Sequence, residues 1–111
     1  MQNKDYQSYI EACLACLMAC EECVDCCIGS DREKCLRLCM DCAEICQLCA
    51  RLMARNSSSV KKICALCAGI CELCAEECGK HDEERCQKCA EMCRKCAEMC
   101  LANVRKESGL D

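Results

Sequence analysis

Residues 35–49 read CLRLCMDCAEICQLC, which places Cys35, Cys39, Cys42, Cys46 and Cys49 at alternating intervals of four and three. A half-buried strand needs a period of two, and no such alternation is present. Spacing of three and four instead lines the five sulfurs along one stripe of an α-helix, the seam of a helical bundle. The same rhythm recurs on both sides. Cys13, Cys16, Cys20, Cys23 and Cys27 precede it, with Cys26 as an extra member, while Cys64, Cys67, Cys71, Cys74 and Cys78, then Cys86, Cys89, Cys93, Cys96 and Cys100, follow.

Polar breaks separate the four groups. Gly29-Ser30-Asp31 comes after the first, with Ser30 and Glu33 in capping-box spacing. Asn56-Ser57-Ser58-Ser59 follows the second and offers a serine N-cap. Gly79 suits a helix C-terminus, and Asp82 suits the next N-cap, with Glu83 and Glu84 in the first turn. Only Gly69 falls inside a helical segment, where it costs roughly 1 kcal/mol against alanine. Four helices are expected near residues 4–28, 31–55, 58–79 and 82–106. Short connections make neighbours antiparallel. The expected fold is all-α: a single domain over residues 1–111, an up-down-up-down four-helix bundle with a cysteine-lined core.

Composition narrows the function. The chain has 111 residues, with 15 basic against 19 acidic side chains and a formal charge of −4. That balance argues against nucleic acid, which wants a basic field. Trp and Phe are absent and Tyr occurs twice, so base-stacking platforms are excluded as well. No stretch approaches the ~18 apolar residues of a membrane span. The first residues, MQNKDYQS, carry no apolar run and no twin arginine, so no export signal is visible and a cytoplasmic protein is expected. Thiols stay reduced there. Their number, 21, is odd, which forbids complete pairing within one chain.

A buried cysteine is ordinarily a small hydrophobe. A seam made almost wholly of cysteine is different, because Leu or Ile would bury more surface and pack better. Neighbours on one helix stripe have Cβ atoms about 5–6 Å apart, against about 3.8 Å in a disulfide. Redox catalysis by one C-x-x-C pair has no support either, since Cys13/Cys16, Cys39/Cys42 and their counterparts are alike. Soft thiolates select Cu(I), Zn(II) or iron–sulfur clusters. Cys20, Cys23 and Cys26 copy the start of a ferredoxin run, but the remainder of that motif is missing. A closed Zn(II) site of four thiolates carries a charge of −2, and several of these in one bundle would bury many uncompensated charges. One Cu(I) replacing one thiol proton leaves the core neutral. Charge balance favours copper.

The segments ICALCA at 63–68 and ECGKHD at 77–82, set among four helices of C-x-x-C and C-x-x-x-C, resemble the cytosolic bacterial four-helix-bundle copper storage proteins. The resemblance spans nearly the whole chain. It implies many Cu(I) ions on core cysteines, no catalytic turnover and a homo-oligomer, in that family a tetramer. The cysteine number here is high, so the family's stoichiometry does not transfer directly.

Antiparallel order gathers Cys26, Cys27, Asp31, Cys35, Cys78, His81, Asp82 and Cys86 at one end. Tyr6, Tyr9, Met53, Val60, Leu101 and Asn103 gather at the other. Copper is expected to enter at the His81 end. A lone histidine in a turn is ordinarily solvated or capping; its place at a cysteine-rich mouth makes His81 a candidate ligand beside the 21 cysteines. Met92 and Met99 lie beside the seam as packing residues, Met18 and Met40 point away, and only Met53 lies on it. Leu66 and Leu73 fall at normally exposed positions, which points to a subunit interface. The functional expectation is Cu(I) storage. The alternatives are general zinc or cadmium detoxification and a redox-sensing helical scaffold.

Overall fold

The structure is a computed structural model that describes residues 5–109. Four helices carry the chain: α1 (Gln7–Cys27), α2 (Glu33–Ala54), α3 (Val60–Cys78) and α4 (Glu84–Glu107). The expected start of the first helix, residue 4, lies outside the described residues, as do the first four residues of the stretch read for an export signal. α1 packs on α2 and α4, and α3 packs on the same two, so α1 and α3 sit on one diagonal and α2 and α4 on the other. The bundle measures 50 × 23 × 18 Å.

Each helix turns its cysteine stripe inward. Twenty of the 21 cysteines are buried, and Cys26 alone is half-buried. Between the stripes sit alanines seven residues apart on every helix: Ala12 and Ala19, Ala43 and Ala50, Ala68 and Ala75, Ala90 and Ala97, all buried. A methyl group at these positions lets neighbouring backbones approach closely, which brings sulfurs from facing helices together. Leucine is absent from the buried core of the described residues. Met18 and Met40 are exposed and Met53 is buried, as their register requires.

The helix starts differ from expectation. Ser30 does not cap α2. Its hydroxyl donates to the Cys27 carbonyl and accepts from the Arg32 N–H, tying the turn together, and Arg32 occupies the N-cap without a side-chain capping bond. Ser59 holds the N-cap of α3 but makes no side-chain cap, while the Ser57 hydroxyl accepts from the Ser59 N–H. Asp82 is displaced by Glu83, whose carboxylate accepts from the Arg85 N–H at 2.8 Å. Short polar side chains choose among several nearby N–H groups, and the turn geometry decides which one wins. Gly79 does end α3, in a right-handed conformation. Its lack of a side chain matters because a Cβ would stand 3.0 Å from Arg94 Nη2 and 3.1 Å from the Ala75 carbonyl oxygen.

Candidate metal centre

The four stripes converge on a column of sulfur. Cys35 and Cys78 approach to 3.3 Å and Cys39 and Cys78 to 3.4 Å, linking α2 to α3. Cys23 lies 3.6 Å from Cys86 and 3.8 Å from Cys35, linking α1 to α4 and α2. Contacts also cross the diagonal, with Cys39 and Cys89 at 3.7 Å and Cys42 and Cys93 at 3.7 Å. These separations exceed a disulfide's S–S bond of about 2.05 Å, and all 21 cysteines are free. Metal–thiolate bonds are about 2.3 Å long, so one ion can bridge two sulfurs at such spacing.

Sulfur quartets with all four Sγ atoms within 4.8 Å of one another run the length of the column. They include Cys13, Cys67, Cys96 and Cys100; Cys16, Cys20, Cys42 and Cys93; Cys16, Cys46, Cys71 and Cys96; Cys20, Cys74, Cys89 and Cys93; and Cys23, Cys39, Cys78 and Cys89. Cys16, Cys20, Cys89, Cys93 and Cys96 each belong to two of these sets. This sharing means that the five sets cannot all be separate closed tetrahedral sites at once, since each needs four ligands of its own. It suits bridging thiolates. Cys49 and Cys64 extend the column at 3.6 Å.

Water is excluded, so the thiols solvate one another. Burial pushes the Cys86 thiol up to about 12, because a thiolate there loses its hydration. Cys64 is pulled the other way, chiefly by hydrogen bonds with Cys100 and Cys49, and further by the Asn103 amide. Asn103 Nδ2 donates to Cys64 Sγ at 3.4 Å and to Met53 Sδ at 3.7 Å. Asn103 is itself buried, three residues beyond Cys100, so it continues the α4 stripe. With Tyr6, Met53 and Val60, all buried, it closes this end of the bundle. The Tyr6 hydroxyl lies 3.3 Å from Glu107.

At the other end stands Glu77, a buried carboxylate. It accepts from His81 Nε2 at 3.0 Å and pairs with Lys80 at 3.5 Å and with Lys34 of α2 at 3.7 Å. His81 is therefore anchored through Nε2 to Glu77, with the Gln87 amide holding its backbone carbonyl at 2.6 Å. Asp82 is exposed. Glu77 opens the ECGKHD segment four residues before His81, but nothing in that spacing marks it as buried among 19 acidic side chains. Asn103 did carry a signal, the continued three-four rhythm.

A sequence model of the copper storage protein family matches residues 2–105. The chain belongs to this family. It is 46% identical over 85 residues to a cysteine-rich protein of Bacillus subtilis named YhjQ, covering 73% of this chain and 79% of that one. Among solved structures it is similar to the Cu(I)-bound copper storage protein BsCsp3, with a TM-score of 0.85, 44% identity and coverage of 87% of this chain and 95% of that chain. A cytosolic copper storage protein from Streptomyces lividans, determined with five coppers, matches with a TM-score of 0.83 at 35% identity, over 86% of this chain and 88% of the other. The all-α bundle of the copper storage family is the fold of this chain.

Proposed function

We propose that this chain stores Cu(I) on its core cysteines in the cytosol, without catalytic turnover, with residues 1–111 acting as one unit. The observation that carries the reading is the sharing of sulfurs among quartets in a sealed column. Each Cu(I) displaces one thiol proton, so the core fills without accumulating charge, whereas a zinc or cadmium store built from four-thiolate sites would gather a charge of −2 at each. All 21 cysteines are assigned as ligands, with roughly one copper per thiol. The similarity to a Cu(I)-bound relative and to one described as cytosolic supports the same reading.

Entry occurs at the His81 end. There the half-buried Cys26, Glu77 and His81 stand at the mouth, while Tyr6, Met53, Val60 and Asn103 seal the opposite end. With Nε2 on Glu77, His81 offers Nδ1 to an arriving ion. His81→Ala is expected to slow uptake and leave capacity nearly unchanged, since one imidazole adds little to 21 thiols.

The chain acts as a homo-oligomer, a tetramer in keeping with its family. Leu48, Leu66 and Leu73 are 42%, 54% and 58% exposed on α2 and α3, beside a groove that Ile45 and Ile70 help to line. Such a patch invites association. Proton release tests the storage chemistry. Anaerobic addition of Cu(I) to reduced protein in weak buffer is expected to release about one proton per copper throughout the titration. Proton release that stops after the first few ions, or equal retention of Zn(II) in competition, would contradict the proposal.

A further inference from the structure

Cys26 departs from the repeat that accounts for the other cysteines. Cys23 is followed by thiols at both the third and fourth positions, and the fourth, Cys27, keeps the stripe. Cys26 consequently sits off the seam, against α4, and is the one cysteine that is not buried. It does not stand alone. Its Sγ lies 3.9 Å from Cys86 Sγ, Cys86 lies 3.6 Å from Cys23, Cys23 lies 3.8 Å from Cys35, and Cys35 lies 3.3 Å from Cys78. From Cys78 the contacts run through Cys39 into the buried column. A half-buried thiol thus heads an unbroken path of sulfurs, each within reach of one bridging ion of the next.

The surroundings fit an exchange site. Cys26 S–H donates to the Cys23 carbonyl at 3.2 Å. Arg32 donates to the Cys26 carbonyl, placing a fixed positive charge beside the Cys26–Cys27 pair. The Glu77–His81 pair stands at the same mouth, against the start of α2 through Lys34, with Nε2 on the carboxylate. A soft ion held by thiolates exchanges most readily onto another thiolate.

Resting on the storage reading, we propose that Cys26 is the acceptor thiol of the store, the group onto which a carrier presenting Cu(I) on thiolates hands its ion. In the exchange the carrier's copper–sulfur bond breaks as the copper–Sγ bond to Cys26 forms. The Cys26 proton passes to the freed carrier thiolate, and no electron is transferred. The ion then moves to a bridging position between Cys26 and Cys86, and onward past Cys23.

Two measurements test this, one without metal. Brief labelling of the reduced, metal-free protein with a bulky maleimide, followed by peptide mass mapping, is expected to modify Cys26 first; first labelling at any other cysteine overturns the assignment. Stopped-flow uptake from the Cu(I)–glutathione complex is then compared between wild type and Cys26→Ser. The variant is expected to load at least about tenfold more slowly, because the remaining thiols are reached only by local opening. Its final capacity is expected to fall by no more than about one ion, the share of one ligand. Equal loading rates overturn the proposal. If wild type itself saturates at a few ions, the storage reading fails instead, and the two outcomes stay distinct.

Discussion

Glu77 is the one buried carboxylate among the described residues, and its partners decide its charge. The His81 hydrogen bond, then Lys80 and Lys34, hold it below the ordinary carboxylate range, while burial opposes them. A carboxyl whose folded pKa is lowered contributes its stability in full above the unfolded value and loses it as pH falls through the folded one. Glu77→Gln is therefore expected to cost stability at pH 7, with the difference from wild type shrinking as pH drops below about 4.3, the ordinary glutamate value. Thermal unfolding of both metal-free proteins across that range checks the sign; a difference independent of pH would place the effect in packing. At the sealed end, Met53→Ala is expected to destabilise by ~2–5 kcal/mol through the cavity it leaves, as measured by urea unfolding. It should leave copper uptake rates largely unchanged. Faster uptake would reverse the polarity of the bundle. These two residues also mark what could be read in advance. Met53 follows the cysteine rhythm and its burial was legible, whereas Glu77 flanks the stripe, and only the folded turn brings Lys34 and His81 onto it.

At the scale of single helices, the cysteine stripe fixes which face is inward, and the buried alanines fix how near the helices come. Both features are periodic, yet only the sulfurs announce themselves; an alanine is equally at home on a surface, so its role emerges with the packing. The caps were less legible for a related reason. Ser30, Asp82 and the serines of 57–59 all have the right chemistry, and the choice among them rests on local hydrogen bonds that sequence spacing does not resolve. Ala90 is fully buried on α4. Ala90→Leu is expected to cost about 1–3 kcal/mol by overpacking and to push α4 outward, separating Cys89 and Cys93 from Cys20 and Cys39. Denaturant unfolding would report the first effect. A copper capacity below wild type in a still-helical protein would report the second, and unchanged capacity would show that the column tolerates wider spacing.

For the molecule as a whole, the metal-free chain already has a closed core, because protonated thiols pack as small hydrophobes between alanines. It is expected to show a fully helical far-ultraviolet circular dichroism spectrum without copper; a random-coil spectrum that turns helical only on loading would make the metal a folding cofactor. Replacing Leu66 and Leu73 by Glu on the exposed face of α3 is expected to reduce the assembled mass in light scattering while leaving each bundle folded. The central claim is that the sulfur column functions as a single shared store. Native mass spectrometry of the reduced protein during anaerobic Cu(I) titration tests it most directly. Binding is predicted to continue to roughly one copper per thiol with the helical bundle intact. Saturation at a handful of ions per chain would contradict it.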